Sequence, residues 1–222
     1  MILDILQLVS HPDTPPAAVA GVTCSLSWQD AGNWVASFIV ATPPERLKLP
    51  PAATPARTDG LWQRTCFEIF LRDPGTGAYL EFNFSPSGEW AAYRFTGYRE
   101  GVQPLDLRDP WITSTDPDQF DAGMRARLTA LGIDPSVVEV MLNTPMPPEV
   151  PKLPETPKQY AINAHLEDAG LAAPRDWEMG ISAVIEEADG TKSYWALKHP
   201  AGKPDFHHPD CFALELPAPE AP

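Results

Sequence analysis

The chain has 222 residues, of which 43% are hydrophobic and 21% charged, and its formal net charge at pH 7 is −14. An acidic surface repels phosphate backbones and anionic lipids, so nucleic acids and membrane surfaces are excluded as expected partners. Proline accounts for 27 residues, well above the usual share of about 5%. Because proline removes a backbone donor and interrupts helices, the composition disfavours an all-helical fold.

The N-terminus and the cysteines indicate the expected cellular compartment. The segment MILDILQLVS has no basic lead and carries Asp4, so it does not indicate a secretory signal. Cys24, Cys66 and Cys211 form no CxxC pair, which excludes a zinc ribbon, a redox dithiol and a c-type haem attachment. We expect a reduced, cytoplasmic protein, with a Cys66–Cys211 disulfide as the alternative.

Short β-type runs separated by turn residues dominate the sequence. VTCSLSWQD (22–30) and WVASFIVAT (34–42) predict a hairpin. The clearest hairpin joins 65–73 to 78–86 through Pro74-Gly75-Thr76-Gly77. Further strands are predicted at 89–98, 159–167, 177–188, 192–199 and 211–217.

The middle of the chain has a different pattern. Apolar residues at helical spacing predict one helix at about 118–132, capped by Asp118 and ended by Gly132. Six prolines between 143 and 158 predict a surface loop. The fold class expected is mainly β: a single antiparallel β-sandwich domain over 1–222, with a helix-containing insertion at 105–176 and a disordered tail at 218–222.

Alternation along the central strands separates two faces. Thr65, Phe67, Ile69 and Leu71 share one face, as do Ala78, Leu80, Phe82 and Phe84 on the next strand, and these faces are expected to meet the core. The opposite face combines carboxylates, an amide and aromatic rings, and the strand at 89–98 is expected to add Trp90 and Arg94 to it. Its members are Cys66, Glu68, Phe70, Tyr79, Glu81, Asn83 and Ser85.

This polar and aromatic face offers the groups that bind sugars. Carboxylates and amides hydrogen-bond hydroxyl groups, while aromatic rings cover the C–H face of a sugar. Two alternatives remain: a solvated face with cross-strand pairs, and a glycoside-acting enzyme in which Glu68 and Glu81 flank the bond. The chain has no GxSxG, no HExxH and no Gly-rich phosphate loop, so we expect a non-enzymatic protein.

A second cluster of candidate residues lies in HPAGKPDFHHPDCF (199–212). Its His, Asp and Cys side chains are dense enough for a metal site, but neighbouring residues of an extended segment point to opposite sides. A packed loop and a ligand-contacting loop are the alternatives. The potential ligands are His199, Asp205, His207, His208, Asp210 and Cys211.

Two stretches carry a family resemblance. LWQRTCFEIFL…YLEFNFSPSGEWAAYRFTGYREG (61–101) and SAVIEEADGTKSYWALKHPAGKPDFHHPDCFALELP (182–217) resemble a bacterial group of DOMON-like proteins, related to DOMON domains and to family-nine carbohydrate-binding modules. The resemblance implies a β-sandwich that binds a small ligand, sugar or haem in the relatives, without catalytic activity. The chain departs from that pattern in showing no export signal and in the length of 105–176.

The function expected is the binding of a small molecule, with carbohydrate as the leading ligand class and no cofactor. Haem bound through Met179 or His199, and a protein-interaction module in the Pro-rich segment, are further alternatives. The sequence does not indicate an oligomeric state. The residues expected to contact the ligand are Trp62, Arg64, Glu68, Glu81, Asn83, Arg94, Tyr98, His199, Asp205, His207 and His208.

Overall fold

The alternating apolar residues of the chain form two antiparallel β-sheets packed face to face. The structure, a computed structural model, describes residues 5–28, 33–116, 124–129, 131–143, 159–167 and 176–216. The strands are β1 (Leu6–Ser10), β2 (Val22–Trp28), β3 (Trp34–Val40), β4 (Cys66–Arg72), β5 (Tyr79–Phe84), β6 (Trp90–Phe95), β7 (Gln103–Pro104), β8 (Trp111–Ser114), β9 (Tyr160–Leu166), β10 (Trp177–Glu186), β11 (Lys192–Ala196) and β12 (Leu214–Leu216).

One strand joins the two sheets. The first sheet has the order β8-β9-β3-β2-β1, and the second runs β1-β11-β10-β4-β5-β6-β7, with β12 also paired to β10. In β1, Leu6–Leu8 pair with β2, whereas Val9 and Ser10 pair with β11. The chain therefore curls one continuous set of pairings into a β-sandwich, and the predicted fold class is confirmed.

The two clearest predicted hairpins are also confirmed. β2 pairs with β3 from Val22↔Val40 to Trp28↔Trp34, and β4 pairs with β5 around Phe67↔Phe84. Turn residues and period-2 alternation were sufficient to predict these pairings because both signals are local.

The core lies between the sheets. Phe67 of the second sheet packs on Phe38 of the first, with ring centroids 5.0 Å apart. Trp34 and Phe82 meet edge to face at 5.7 Å. These rings belong to one continuous cluster of buried apolar side chains drawn from both sheets, as expected for a sandwich whose inner faces interdigitate.

Two helical segments lie between β8 and β9: residues 124–129 (α1) and Pro135–Asn143 (α2). The remaining predicted helical residues at 118–123 and 130 lie outside the described residues. Gly132 adopts a φ of 78°, and the Ile133 N–H donates to the Leu128 carbonyl, a bond that ends a helix at a left-handed residue. The sequence reasoning did not assign α2, although Asp134-Pro135 is a start signal: Asp134 Oδ1 accepts the Ser136 N–H at 2.8 Å.

The range 105–176, predicted as a helix-containing insertion, also contains strands of the first sheet. β8 and β9 lie within it and form one end of the first sheet. The proline-rich residues from 144 to 158 and the tail from 217 lie outside the described residues. The remaining short elements are the 3-10 turns Pro44–Arg46, Leu61–Gln63 and Pro209–Cys211. Within the described ranges, no helix has the length and apolar character needed to cross a bilayer.

Candidate functional site

Part of the outer face of the second sheet is buried by a loop. We call residues 199–212, between β11 and β12, the covering loop. Its Phe206 and Phe212 pack on that face within a second, smaller apolar cluster, which is separate from the inter-sheet core. The cluster comprises Phe70, Tyr79, Phe95, Val184, Ala196, Phe206 and Phe212.

A glycine marks the closest approach of the covering loop. A Cβ built on Gly180 of β10 would lie 3.1 Å from the carbonyl oxygen of Cys211 and 3.5 Å from Cβ of Phe70. The backbone of the loop therefore rests directly against the sheet, where a Cβ would force the loop to shift by a few tenths of an ångström.

Gly180→Ala is expected to lower the free energy of unfolding by about 1–3 kcal/mol, because the loop backbone must shift to admit the methyl group. Urea denaturation measures this loss. Gly97→Ala is the control, since its Cβ would have no neighbour closer than 3.8 Å. Equal stability of the Gly180 variant and the wild type would contradict the close packing.

A cavity of about 600 Å³ opens beside the covering loop, above the part of the sheet that the loop leaves uncovered. Strands β4, β5, β6, β10 and β11 supply its floor and one wall, and the loop supplies the other. Its lining residues are Thr14, Trp62, Glu68, Glu81, Tyr93, Phe95, Arg99, Val102, Val184, Tyr194, Lys203, Pro204, Asp205, Phe206 and His207.

Two buried carboxyl groups form the floor of the cavity. Glu68 and Glu81 are 2% and 5% exposed. The Ser182 hydroxyl donates to Glu68 Oε2 at 2.9 Å, and the Asn83 amide donates to Glu81 Oε1 at 2.7 Å. Burial, reinforced by the charge of Glu81, raises the pKa of Glu68 to about 8. Burial also raises the pKa of Glu81, against the opposing hydrogen bond from Asn83 and the charge of Arg99.

His207 reaches into the cavity from the covering loop. Its Nδ1 lies 2.8 Å from the Tyr79 hydroxyl, and its Nε2 lies 3.9 Å from Glu81 Oε2. Burial, together with the charge of Arg99, lowers the pKa of His207 to about 4, so the ring is neutral at pH 7. With the Tyr79 hydroxyl donating to Nδ1, the ring proton is on Nε2 and faces Glu81.

A turn after β6 contributes the basic group of the rim. Arg99 has a φ of 57°, a left-handed conformation that non-glycine residues rarely adopt outside constrained sites. Its Nη2 donates to Asp205 Oδ1 at 2.7 Å, and the Tyr98 hydroxyl donates to the other oxygen of Asp205. Burial would raise the pKa of Asp205, but the hydrogen bonds from Tyr98 and Arg99 together hold it below its usual value.

Five of the predicted site residues line the cavity: Trp62, Glu68, Glu81, Asp205 and His207. They come from three separate parts of the chain, which the sheet pairing and the covering loop bring together. The position of Trp62, 55% exposed in the 3-10 turn before β4, places an indole ring at the cavity mouth.

The predicted grouping of Arg94 and Trp90 with Glu81 is wrong. β6 pairs Tyr93 with Glu81 and Arg94 with Leu80, and directly paired residues share one face of the sheet. Trp90 therefore packs in the inter-sheet core, and Arg94 is exposed on the opposite side from Glu81. The parity of β6 was assigned one residue out of register, which moves every side chain to the other face.

Other predicted residues do not line the cavity. Asn83 lies beneath it and holds Glu81, while Tyr98 supports Asp205. His208 accepts the Asp210 N–H and caps the turn Pro209–Cys211. His199 hydrogen-bonds the Val9 carbonyl at 2.9 Å, and Arg64 is exposed beside the mouth.

The metal and haem alternatives were compared with the same geometry. Across the described part of the chain, no three His, Cys, Asp or Glu side chains are grouped to hold a metal ion. Met179 packs in the inter-sheet core, and neither it nor His199 lines the cavity, so the residues proposed as haem ligands do not fit that role there. Cys66 and Cys211 form no disulfide, because both are free and buried, as is Cys24.

Sequence reasoning missed several lining residues. Arg99 replaces Arg94 as the basic group, and Tyr93, Phe95, Tyr194 and Phe206 supply the aromatic walls. Correct parity in β6 would have found Tyr93 and Phe95. Nothing local to Arg99 or Phe206 marks them, since both depend on how a turn and a loop fold back over the sheet.

Comparisons with known proteins found similarity in fold but not in sequence. No protein-family model and no curated protein matches the sequence. Among solved structures, the chain is similar to a candidate carbohydrate-binding protein of Bacteroides uniformis, with a TM-score of 0.55, 11% identity, and coverage of 94% of this chain and 83% of the other.

Two further solved structures are family-nine carbohydrate-binding modules of Caldicellulosiruptor kristjanssonii. The one in complex with cellotriose has a TM-score of 0.41 at 11% identity and covers 89% of this chain and 75% of the other. The one in complex with glucose has a TM-score of 0.38 at 10% identity, covering 89% and 76%. At these identities the likeness is one of architecture, and the chain has a fold like that of the Bacteroides uniformis protein.

Proposed function

We propose that this protein is a non-enzymatic binder of a small carbohydrate, held in the cavity between the second sheet and the covering loop. One observation carries the proposal: an exposed indole ring, Trp62, stands at the mouth of a cavity whose floor is the Glu68–Glu81 carboxyl pair. Sugars present apolar C–H faces together with hydroxyl groups, and this cavity offers partners for both.

The size and chemistry of the cavity support this proposal. Its volume of about 600 Å³ falls within the range of roughly 300–1,000 Å³ typical of ligand sites. Within the described residues, Glu68 Oε1 has no hydrogen-bond partner, and Glu81 Oε2 has only His207 at 3.9 Å. Both oxygens are therefore available to a ligand that donates hydrogen bonds.

Trp62→Ala is expected to weaken sugar binding roughly tenfold to a hundredfold, since a central aromatic contact is worth about 1.5–3 kcal/mol. The melting temperature is expected to stay unchanged, because the side chain is largely exposed. Calorimetric titration against a panel of mono- and oligosaccharides measures the affinity.

Two control variants accompany this test. Trp62→Phe keeps an aromatic ring and is expected to retain most of the affinity. Ile39→Ala removes a partly exposed apolar side chain of the first sheet that does not line the cavity, so it is expected to bind like the wild type. Absence of any heat of binding across the panel at millimolar sugar would remove the carbohydrate proposal.

A glycoside-cleaving enzyme is the second candidate, favoured by one observation. A carboxyl group with a pKa near 8 beside a second carboxyl group is the arrangement from which a glycosidase draws its proton donor. This candidate predicts turnover of an aryl glycoside that Glu68→Gln abolishes. Absence of turnover by the wild type would contradict the enzyme candidate and leave carbohydrate binding as the proposed function.

The predicted relationship to DOMON-like proteins is part of the proposal. The two stretches that carry the resemblance, 61–101 and 182–217, contribute β4, β5, β6, most of β10, β11, β12 and the covering loop, which together build the cavity. We also propose a reducing, cytoplasmic setting, which the three free cysteines support.

A further inference from the structure

In the part of the chain that the structure describes, no cation is paired with the carboxyl groups on the cavity floor. Buried ionised groups are normally paired with an opposite charge. Yet within the described residues, no lysine or arginine nitrogen forms an ion pair with Glu68 or Glu81. The nearest basic ring, His207, is neutral at pH 7 because burial lowers its pKa to about 4.

The two cationic side chains of the cavity lining, Arg99 and Lys203, lie away from the carboxyl pair. Arg99 forms an ion pair with Asp205, in which Nη2 lies 2.7 Å from Oδ1. It acts on the carboxyl pair only through its longer-range charge. Lys203 is an exposed residue of the covering loop. The lining thus holds three carboxyl groups against two cations, with the carboxyl groups of Glu68 and Glu81 at the bottom.

Aromatic rings surround the space above the pair. Tyr93 and Phe95 rise from β6, Tyr194 from β11, and Phe206 from the covering loop, with Trp62 at the mouth. Ring faces attract cations through their quadrupoles, and this attraction strengthens where water is excluded. Carboxylate oxygens and aromatic rings that line one cavity are the kinds of partner that an ammonium group needs.

We propose that the cavity floor binds a primary ammonium group, so that the ligand is an amino sugar rather than a neutral one. This inference rests on the proposed carbohydrate function for the sugar part of the ligand. The ammonium group would donate to the open oxygens of Glu68 and Glu81, while the sugar ring lies against Trp62.

Ammonium binding is expected to displace a proton. Because the pKa of Glu68 is about 8, the pair retains a proton at neutral pH, and a cation on the floor favours the fully ionised pair. The titratable and charged groups around the pair are Cys66 on β4, Tyr79 on β5, Tyr93 on β6, Arg99 in the turn after it, Tyr194 on β11, and Lys203, Asp205 and His207 in the covering loop.

The test compares matched sugars by calorimetry at about pH 6.5, where amino sugars are protonated. The probes are glucosamine against glucose and galactosamine against galactose, with N-acetylglucosamine as a control for bulk at the same position. We expect the protonated amino sugar to bind about tenfold more tightly or better than its neutral partner. Titration in buffers of different ionisation enthalpy is expected to show proton release for the amino sugars alone.

Two variants test whether the preference for amino sugars depends on the carboxyl groups of the cavity floor. Glu68→Gln and Glu81→Gln each keep the size of the side chain, and are expected to abolish both the amine preference and the proton release. Glu178→Gln is the matched control, because Glu178 lies on β10 outside the cavity lining and pairs with Arg72. Circular dichroism and melting temperatures check that each variant is folded.

The outcomes separate this inference from the proposed function. Equal or tighter binding of neutral sugars overturns the ammonium site and leaves carbohydrate binding in place. Binding of cyclohexylamine without binding of any sugar supports the ammonium site and overturns the carbohydrate function. Absence of binding by every sugar and amine overturns both.

Discussion

Phe67→Ala is expected to lower the free energy of unfolding by about 3–5 kcal/mol. Phe67 is fully buried at the centre of the sandwich, where its ring packs on Phe38 at 5.0 Å and on Tyr160 at 6.4 Å. Removing the ring breaks contact between the sheets and leaves a cavity that surrounding strands cannot close, since each is held by its own ladder of hydrogen bonds.

Urea denaturation followed by tryptophan fluorescence measures this loss. Ile39→Ala provides the comparison, because Ile39 is next to Phe38 on β3 but is 39% exposed, so its truncation is expected to cost less than about 1 kcal/mol. Similar losses in both variants would contradict a core that lies between the two sheets.

One buried carboxyl group is expected to contribute a loss of stability as the pH rises from about 6.5 to about 8, by up to about 1.4 kcal/mol per pH unit. The cause is Glu68, whose pKa is about 8 in the folded chain and about 4.3 when unfolded. Between these values the folded state binds more protons than the unfolded state, so raising the pH favours unfolding. The raised pKa of Glu81 acts in the same direction.

The histidines restrict the useful pH window. Burial lowers the pKa of His207 to about 4 and also lowers the pKa of His165 and His199. Below about pH 6.5 the unfolded chain therefore binds histidine protons that the folded chain does not, and this effect opposes that of the carboxyl pair. These rings are largely neutral in both states only above about pH 7.5. There the three buried thiols, whose pKa values are raised by burial, also make stability fall as the pH rises, so comparison with a Glu68 variant is needed to separate the carboxyl effect.

Glu68→Gln isolates the contribution of this carboxyl group. The amide keeps an oxygen that can accept the Ser182 hydroxyl, but it has no charge to bury. We expect the stability of the variant relative to the wild type to increase by on the order of 2 kcal/mol between pH 6.5 and pH 9, as measured by urea unfolding across that range. If the free energies of unfolding of the two proteins changed in parallel with pH, Glu68 would not be the cause of the pH dependence.

Local patterns predicted the strands and the central hairpins, whereas the pairings β4–β10 and β3–β9 that complete the two sheets join distant parts of the chain. The hairpins β2–β3 and β4–β5 follow from alternation and turn residues, and they bring Phe67 and Phe82 to one face and Glu68 and Glu81 to the other. β6 shows the limit of the method. Its alternation is weak at Ala91 and Ala92, so the apolar pattern did not set its parity, and Arg94 was assigned to the wrong face.

The amino-acid sequence by itself determined the mainly β class, the central hairpins and the face on which the carboxyl pair lies, because side-chain alternation specifies faces. Only the tertiary structure decided what covers that face. The covering loop meets the sheet over a long sequence separation, through Gly180 and the Phe206 and Phe212 rings, and the turn after β6 carries Arg99 to the rim. Such contacts leave no periodic signal, since they depend on the shapes of two surfaces that meet only after the chain has folded.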